Sequence, residues 1–186
     1  GLNNNQVKLS YILILYNNML QSLFSSQIMT LGLVIMALLA MFLILFRSIK
    51  ISLIALIPNL LSIGSVLGLM GILDIPLDMM TITIAAISMG IAVDNTIHYI
   101  FRHKKEYLSS YDYNTAMKKT HSSIGYALYY TTLTIIVGFS ILVFSNFIPS
   151  IYFGLLTSLA MIVALLASLT LVPSLLAILK PYPKKN

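Results

Sequence analysis

The sequence predicts an all-α, polytopic membrane helix bundle, and three observations carry that prediction. Its 186 residues are 59% hydrophobic and only 9% charged, far below the roughly one-quarter charged residues of a soluble domain. The apolar residues collect in five long runs, each near the ~20 residues that cross a hydrocarbon core of about 30 Å at 1.5 Å per residue. The basic residues gather in alternate gaps between those runs.

Taken in order, residues 1–28 read as a residual extracytoplasmic, juxtamembrane segment. Between Gln6 and Gln27 apolar side chains (Ile12, Leu13, Ile14, Leu15, Leu20, Leu23, Phe24) are mixed with Asn17, Asn18, Gln21 and Ser22. That pattern suits a helix entering the membrane from an outside domain, or a helix lying on the surface. The first span, Met29–Phe46, closes at Arg47 and Lys50. The second runs from Ile51 to about Ile72 and ends at the turn-rich LDIPLD; within it Asn59 follows Pro58, which points to a kink more than to a functional polar group. The third is Met79–Phe101 and contains one acid, Asp94. Residues 102–121 form the one long polar loop, expected as a short helix along the membrane face with its lysines towards anionic lipid. The fourth span is Ile124–Phe144 and the fifth Ile151–Leu179, followed by a tail at 180–186. The chain starts with Gly1 and shows no basic stretch before a short apolar one, so a signal peptide is not expected and the sequence reads as a fragment or a processed product.

Ten of the eleven basic residues fall in the first and third gaps or after the fifth span, which the positive-inside rule assigns to the cytoplasm. Lys8 is the exception. The expected location is therefore the cell membrane, multi-pass, with a cytoplasmic C-terminus. Membrane orientation accounts for the net charge of +6, and nucleic acid is not an expected partner. With no cysteine, disulfide frameworks, thiolate metal sites and cysteine nucleophiles are excluded. An aspartyl protease of the membrane needs two facing acids and finds one. A serine protease needs a histidine near Ser65 and finds none in that span; His98, His103 and His121 straddle a loop and make a weak metal case. No metal site, cofactor or enzyme activity is expected.

An acid inside a span costs at least ~2.5 kcal/mol to insert, so Asp94 is the leading functional candidate. In MGIAVDNTIHYIF it lies seven residues before Phe101, roughly 10 Å inside the membrane edge. His98 shares its face at i+4, Asn95 is rotated ~100° away, and Gly90 one turn above admits a neighbouring helix. In the fourth span Thr131 reaches matching depth, and Ala127, Thr131, Thr134 and Gly138 make one narrow face of small and hydroxyl residues. That face is expected to pack against Asp94, with Tyr126, Tyr129, Tyr130 and Thr132 on the flanks. The expected site is a desolvated carboxylate, its proton affinity raised, relaying protons with Asn95, His98, Thr131 and Thr134. The alternative is a polar cluster that only holds helices together. Gly64 and Gly68 read as a GxxxG packing face, joined as packing positions by Gly90 and Gly138.

These residues resemble a known family. The stretch LDIPLDMMTITIAAISMGIAVDNTIHYIFRHKKE is similar to the proton-relay helix of the RND superfamily, in the MMPL and predicted-exporter branch related to the sterol-sensing-domain proteins. Gly90, Asp94, Asn95, Ile97, His98 and Arg102 carry the match, and further similarity at 46–64, 131–147 and 153–176 extends it in order along most of the chain. The resemblance implies spans eight to twelve of a twelve-span transporter, in preference to spans two to six, because the chain stops at KPYPKKN directly after its last span. It implies an exporter of lipids or other hydrophobic substrates driven by the proton gradient, with Asp94 as the relay. It also implies three partners: the lipid bilayer, the other membrane half, and the porter domain of the same transporter. Where one branch has an Asp–Tyr pair this chain has Asn95, so a hydroxyl relay at that position is not expected. The rival reading is a sterol-sensing-like module that binds lipid and regulates a partner without transport.

Overall fold

The computed structural model describes residues 4–75 and 79–182, with the side chains of 4–11, 79–82 and a few other helical positions outside the described set. Asp78, Lys184 and Lys185, and the side chain of Lys8, lie outside it. Among the described residues every regular element is helical: α1 (Asn4–Phe46), α2 (Ile49–Ile72), α3 (Met79–Ser110), α4 (Tyr113–Thr120), α5 (Tyr126–Ser140) and α6 (Ile148–Leu179). A π-helical turn, His121–Gly125, joins α4 to α5, and a 3₁₀ turn, Ile141–Phe144, ends α5. Among the described residues four helical stretches are long and apolar enough to cross a membrane: Ile28–Phe46, Ile49–Ile72, Tyr113–Phe144 and Ile148–Leu179. The expected span on α3 is not among them; it begins on residues whose side chains are not described.

The chain divides into two compact units, residues 1–38 and 39–186. The first belongs to α1, which runs unbroken through the expected change from juxtamembrane segment to span at residue 28. In the second unit, α6 packs against α2, α3 and α5, and α2 packs against α3. What lets α6 do so is its run of small residues: Gly154, Ser158, Ala160, Ala164, Ala167 and Ser168 are all buried, and small side chains let apolar backbones approach closely where lipid offers no hydrophobic driving force. Polar contacts hold this packing at several levels. Ser62 Oγ donates to the Ala160 carbonyl at 2.8 Å, Thr96 and Ser168 hydroxyls meet at 3.4 Å, and Ser158 Oγ reaches the Ile136 carbonyl at 3.5 Å. An apolar core of Val66, Met70, Ile84, Ala92, Leu156 and Met161 fills the space between them.

The expected packing glycines behave differently from the reading of the sequence. Gly64, Gly68, Gly90 and Gly138 are exposed, and among the described residues nothing comes within 4 Å of where a Cβ would stand. None of them is a close approach inside this chain. That role belongs to Gly154, where a Cβ would lie 2.5 Å from the Phe139 carbonyl oxygen.

The polar stretch 102–121 is also more regular than a loop with a surface helix. Instead α3 continues to Ser110, Tyr111 turns the chain with φ 53°, and Asp112 starts α4 as its N-cap. The Asp112 carboxylate accepts from Thr115 N at 2.9 Å and from Thr115 Oγ1 at 2.6 Å, which satisfies a donor the helix start leaves free. The result is a helical hairpin in which α3 runs on past the expected third span and α4 leads through the π-helical turn into α5. Asn59, beside Pro58 inside α2, is fully buried and its Nδ2 donates to the Ala55 carbonyl at 2.9 Å, a local backbone role.

Candidate functional site

Helical periodicity divides α3 into two faces. Ala92, Asn95, Thr96, Tyr99, Ile100 and His103 are buried, whereas Ala86, Gly90, Asp94 and His98, spaced by four, form an exposed stripe. Thr96 illustrates why the buried face tolerates hydroxyls: its Oγ1 donates to the Ala92 carbonyl one turn back while facing Ser168. On the exposed stripe the Asp94 carboxylate meets His98 Nε2 at 3.2 Å, with side-chain exposures of 70% and 57%. Asp94 is therefore not enclosed by this chain's own helices, as the sequence led one to expect.

The polar link from α3 to α5 lies one residue further along on each helix. Asn95 Nδ2 donates to Thr132 Oγ1 at 3.2 Å, both groups being buried. Thr131 and Thr134 point outward and return their hydroxyls to their own helix, Thr131 to the Ala127 carbonyl at 3.0 Å and Thr134 to the Tyr130 carbonyl at 2.9 Å. So the structure brings Asp94 and His98 together, brings Asn95 to Thr132, and leaves Thr131 and Thr134 without a contact to Asp94. The Ala127–Thr131–Thr134–Gly138 face exists as expected, but α5 turns it outward.

A second polar group was passed over in the sequence. Tyr99, His103, Tyr107 and Tyr111 recur every four residues along α3, the visible signal of one helix face. With Tyr113 from α4 and Tyr182 beyond α6 they form an aromatic cluster: the His103 ring lies 6.2 Å from Tyr99 and 5.7 Å from Tyr182, and Tyr107 lies 4.4 Å from Tyr113. Tyr182 N donates to Tyr113 Oη at 3.1 Å. Burial pushes the His103 imidazole down to about 4, assisted by neighbouring His121 and opposed weakly by a backbone contact at Tyr113. Burial likewise raises the Tyr182 phenol.

His121, the third histidine, repairs a helix. Pro173 has no N–H to offer the Leu169 carbonyl one turn earlier in α6, and His121 Nε2 donates to that oxygen at 2.9 Å. Its Nδ1 lies 3.0 Å from the Met117 carbonyl and 3.2 Å from Tyr99 Oη. Among the described residues no three His, Asp or Glu side chains converge as a metal would need.

Among the described residues all regular elements are helical and four stretches are long and apolar enough to cross a membrane, the make-up of a multi-pass membrane protein. The sequence profile of the MMPL family matches residues 13–185, and the chain belongs to that family. A membrane protein of Methanocaldococcus jannaschii is 34% identical over 118 residues, which are 63% of this chain and 30% of that protein. The match thus spans under a third of that relative's length.

Proposed function

We propose that this chain is a membrane half of an RND-type exporter, driven by the proton gradient, that moves lipids or other hydrophobic molecules, with Asp94 as its proton relay. One observation carries the reading: the Asp94–His98 pair stands exposed on a stripe with Gly90 and Ala86. A carboxylate on a lipid-facing helix surface costs about 2.5–3.5 kcal/mol on insertion scales, so this stripe requires protein or trapped water against it. The small residues at Gly90 and Ala86 leave room for another helix to approach. The partner we assign to it is the other membrane half of the same protein, in keeping with the relative's greater length. Met79–Phe101 then counts as a fifth span.

The topology follows the positive charges. Arg47 follows α1, whose Phe46 packs on Phe101 of α3 at 5.4 Å, and Tyr182 near Lys180 packs on the α3–α4 hairpin, which carries five more basic residues. Basic residues thus gather at one end of this unit, and we assign that end and the C-terminus to the cytoplasm.

In the mechanism, proton uptake removes the charge of Asp94 and weakens its pairing with His98, the interface stripe loses its cost of burial, and the two halves repack. Movement of the halves is passed to the outside porter domain. One proton supplies ~2.3 kcal/mol per 100 mV, besides any pH gradient. In the full-length protein Asp94→Asn is expected to abolish proton-coupled export in vesicles while the protein still reaches the membrane. Export at the wild-type rate would overturn the reading. Lipid binding and partner regulation without export, in both wild type and variant, would instead identify a sterol-sensing-like module.

A further inference from the structure

We propose that the groove bounded by α4, the π-helical turn, α5 and α6 binds an anionic phospholipid from the leaflet on the basic side of the membrane. The groove is open along one side and has a volume of about 920 Å³, the upper part of the range typical of small-molecule sites. Its floor exists because of two local departures from regular structure. The π-helical turn places buried Gly125 there, and Pro173, whose missing N–H is answered by His121, adds a buried apolar surface from α6. Single π-turns of this kind occur often at functional sites.

The groove is polar at one end and apolar at the other. Lys118 and Ser122 stand at the end near the hairpin, whereas Tyr129, Tyr130 and Leu169 line the other. Lys118 precedes Tyr130 by twelve helical positions, roughly 18 Å along the axis, so the gradient runs from headgroup depth into hydrocarbon. Tyr126 and Tyr130, both largely exposed, sit where interfacial tyrosines flank glycerol esters.

Charge complementarity selects the headgroup. Among the described residues no acid lines the groove, and Lys118 contributes its one fixed cation. Asp112, whose carboxylate feels the Lys118 charge, is engaged by Thr115. A free phosphate would use the Lys118 end alone and leave the tyrosine-lined half without an occupant. A phospholipid fills both. The proposal rests on the Tyr113–Phe144 stretch crossing the bilayer and is independent of what Asp94 does.

The test is native mass spectrometry on the delipidated full chain, titrated with phosphatidylglycerol, phosphatidylcholine or inorganic phosphate. Phosphatidylglycerol is expected to be retained in preference to phosphatidylcholine. Lys118→Glu should weaken its apparent affinity by more than about fivefold, the scale of one basic residue's attraction to an anionic surface, because the reversal adds repulsion to the lost attraction. Lys118→Arg should keep it, and Lys119→Glu, adjacent but outside the groove, should change it less than twofold. Thr170→Trp, at the exposed rim, should weaken both lipids together. Equal retention of the two lipids, or equal losses in the Lys118 and Lys119 charge reversals, overturns the proposal, as does displacement of phosphatidylglycerol by millimolar phosphate. Failure of the chain to partition with bilayers would instead count against the spanning reading. Unchanged far-ultraviolet circular dichroism shows that each variant is folded.

Discussion

Asp94 and Asn95 are adjacent in the sequence, yet a rotation of ~100° about the α3 axis gives them opposite surroundings. Asp94 is exposed with His98, while Asn95 is buried against Thr132. Removing that inter-helix hydrogen bond by Asn95→Ala together with Thr132→Val is expected to reveal a coupling near ~0.6 kcal/mol, the modest value usual between membrane helices. A double-mutant cycle of unfolding in detergent measures it, and zero coupling would show that the contact is energetically idle. Gly154 makes a stronger claim. A methyl group there would lie 2.5 Å from a backbone oxygen that has little freedom to withdraw, so Gly154→Ala should destabilise by about 1–3 kcal/mol. Gly64→Ala, with open space at the same point, should leave the unfolding midpoint unchanged or slightly raised. Equal effects at the two positions would contradict the packing described for α6.

At the scale of elements, the α3–α4 hairpin is the part least apparent from sequence. Its charged residues concealed the aromatic stripe running through them, because hydropathy averages Tyr and His with the lysines between. Helix signals were present all the same, in the Asp112 cap and in the four-residue recurrence of Tyr99, His103, Tyr107 and Tyr111. The buried His103 gives this element a pH dependence whose sign follows from its lowered value of about 4. Below its ordinary value near 6.5 the unfolded chain takes up a proton that the folded hairpin refuses. Stability should therefore be fully present above pH ~6.5 and fall as the pH drops from there to about 4. Replacing His103 with Phe should flatten this slope, and an unchanged slope would place the titration elsewhere. Tyr182→Ala removes one wall of the cluster and should speed proteolysis or hydrogen exchange in residues 104–119, while leaving α2 unaffected.

For the whole molecule, the exposed stripe on α3 calls for a cover. A benzoyl-phenylalanine in place of Ala86 in the full-length protein should capture protein on irradiation, since a stripe that carries Asp94 is costly to place against hydrocarbon. The same probe in place of Ile178, apolar and 74% exposed, should capture lipid. Lipid capture at both positions would show that the stripe has no protein partner.

What the sequence determined alone is the membrane character, the all-helical class and the family. These rest on composition, run length and the order of motifs, properties that a chain carries before it folds. It also placed Asp94, His98 and Gly90 on one face, because helical spacing fixes which neighbours on a single helix align. Tertiary structure decided which way each face turns. The sequence showed a small-residue face on α5 and a carboxylate on α3 at equal depth, and joining them was reasonable. Both turn outward instead: α6, with its run of small residues, packs against α3 and α5 and meets Thr96 through Ser168, while Asn95 and Thr132 are buried against each other. Rotation about a helix axis is set by the best-packing neighbour, and no spacing rule within one helix contains that neighbour.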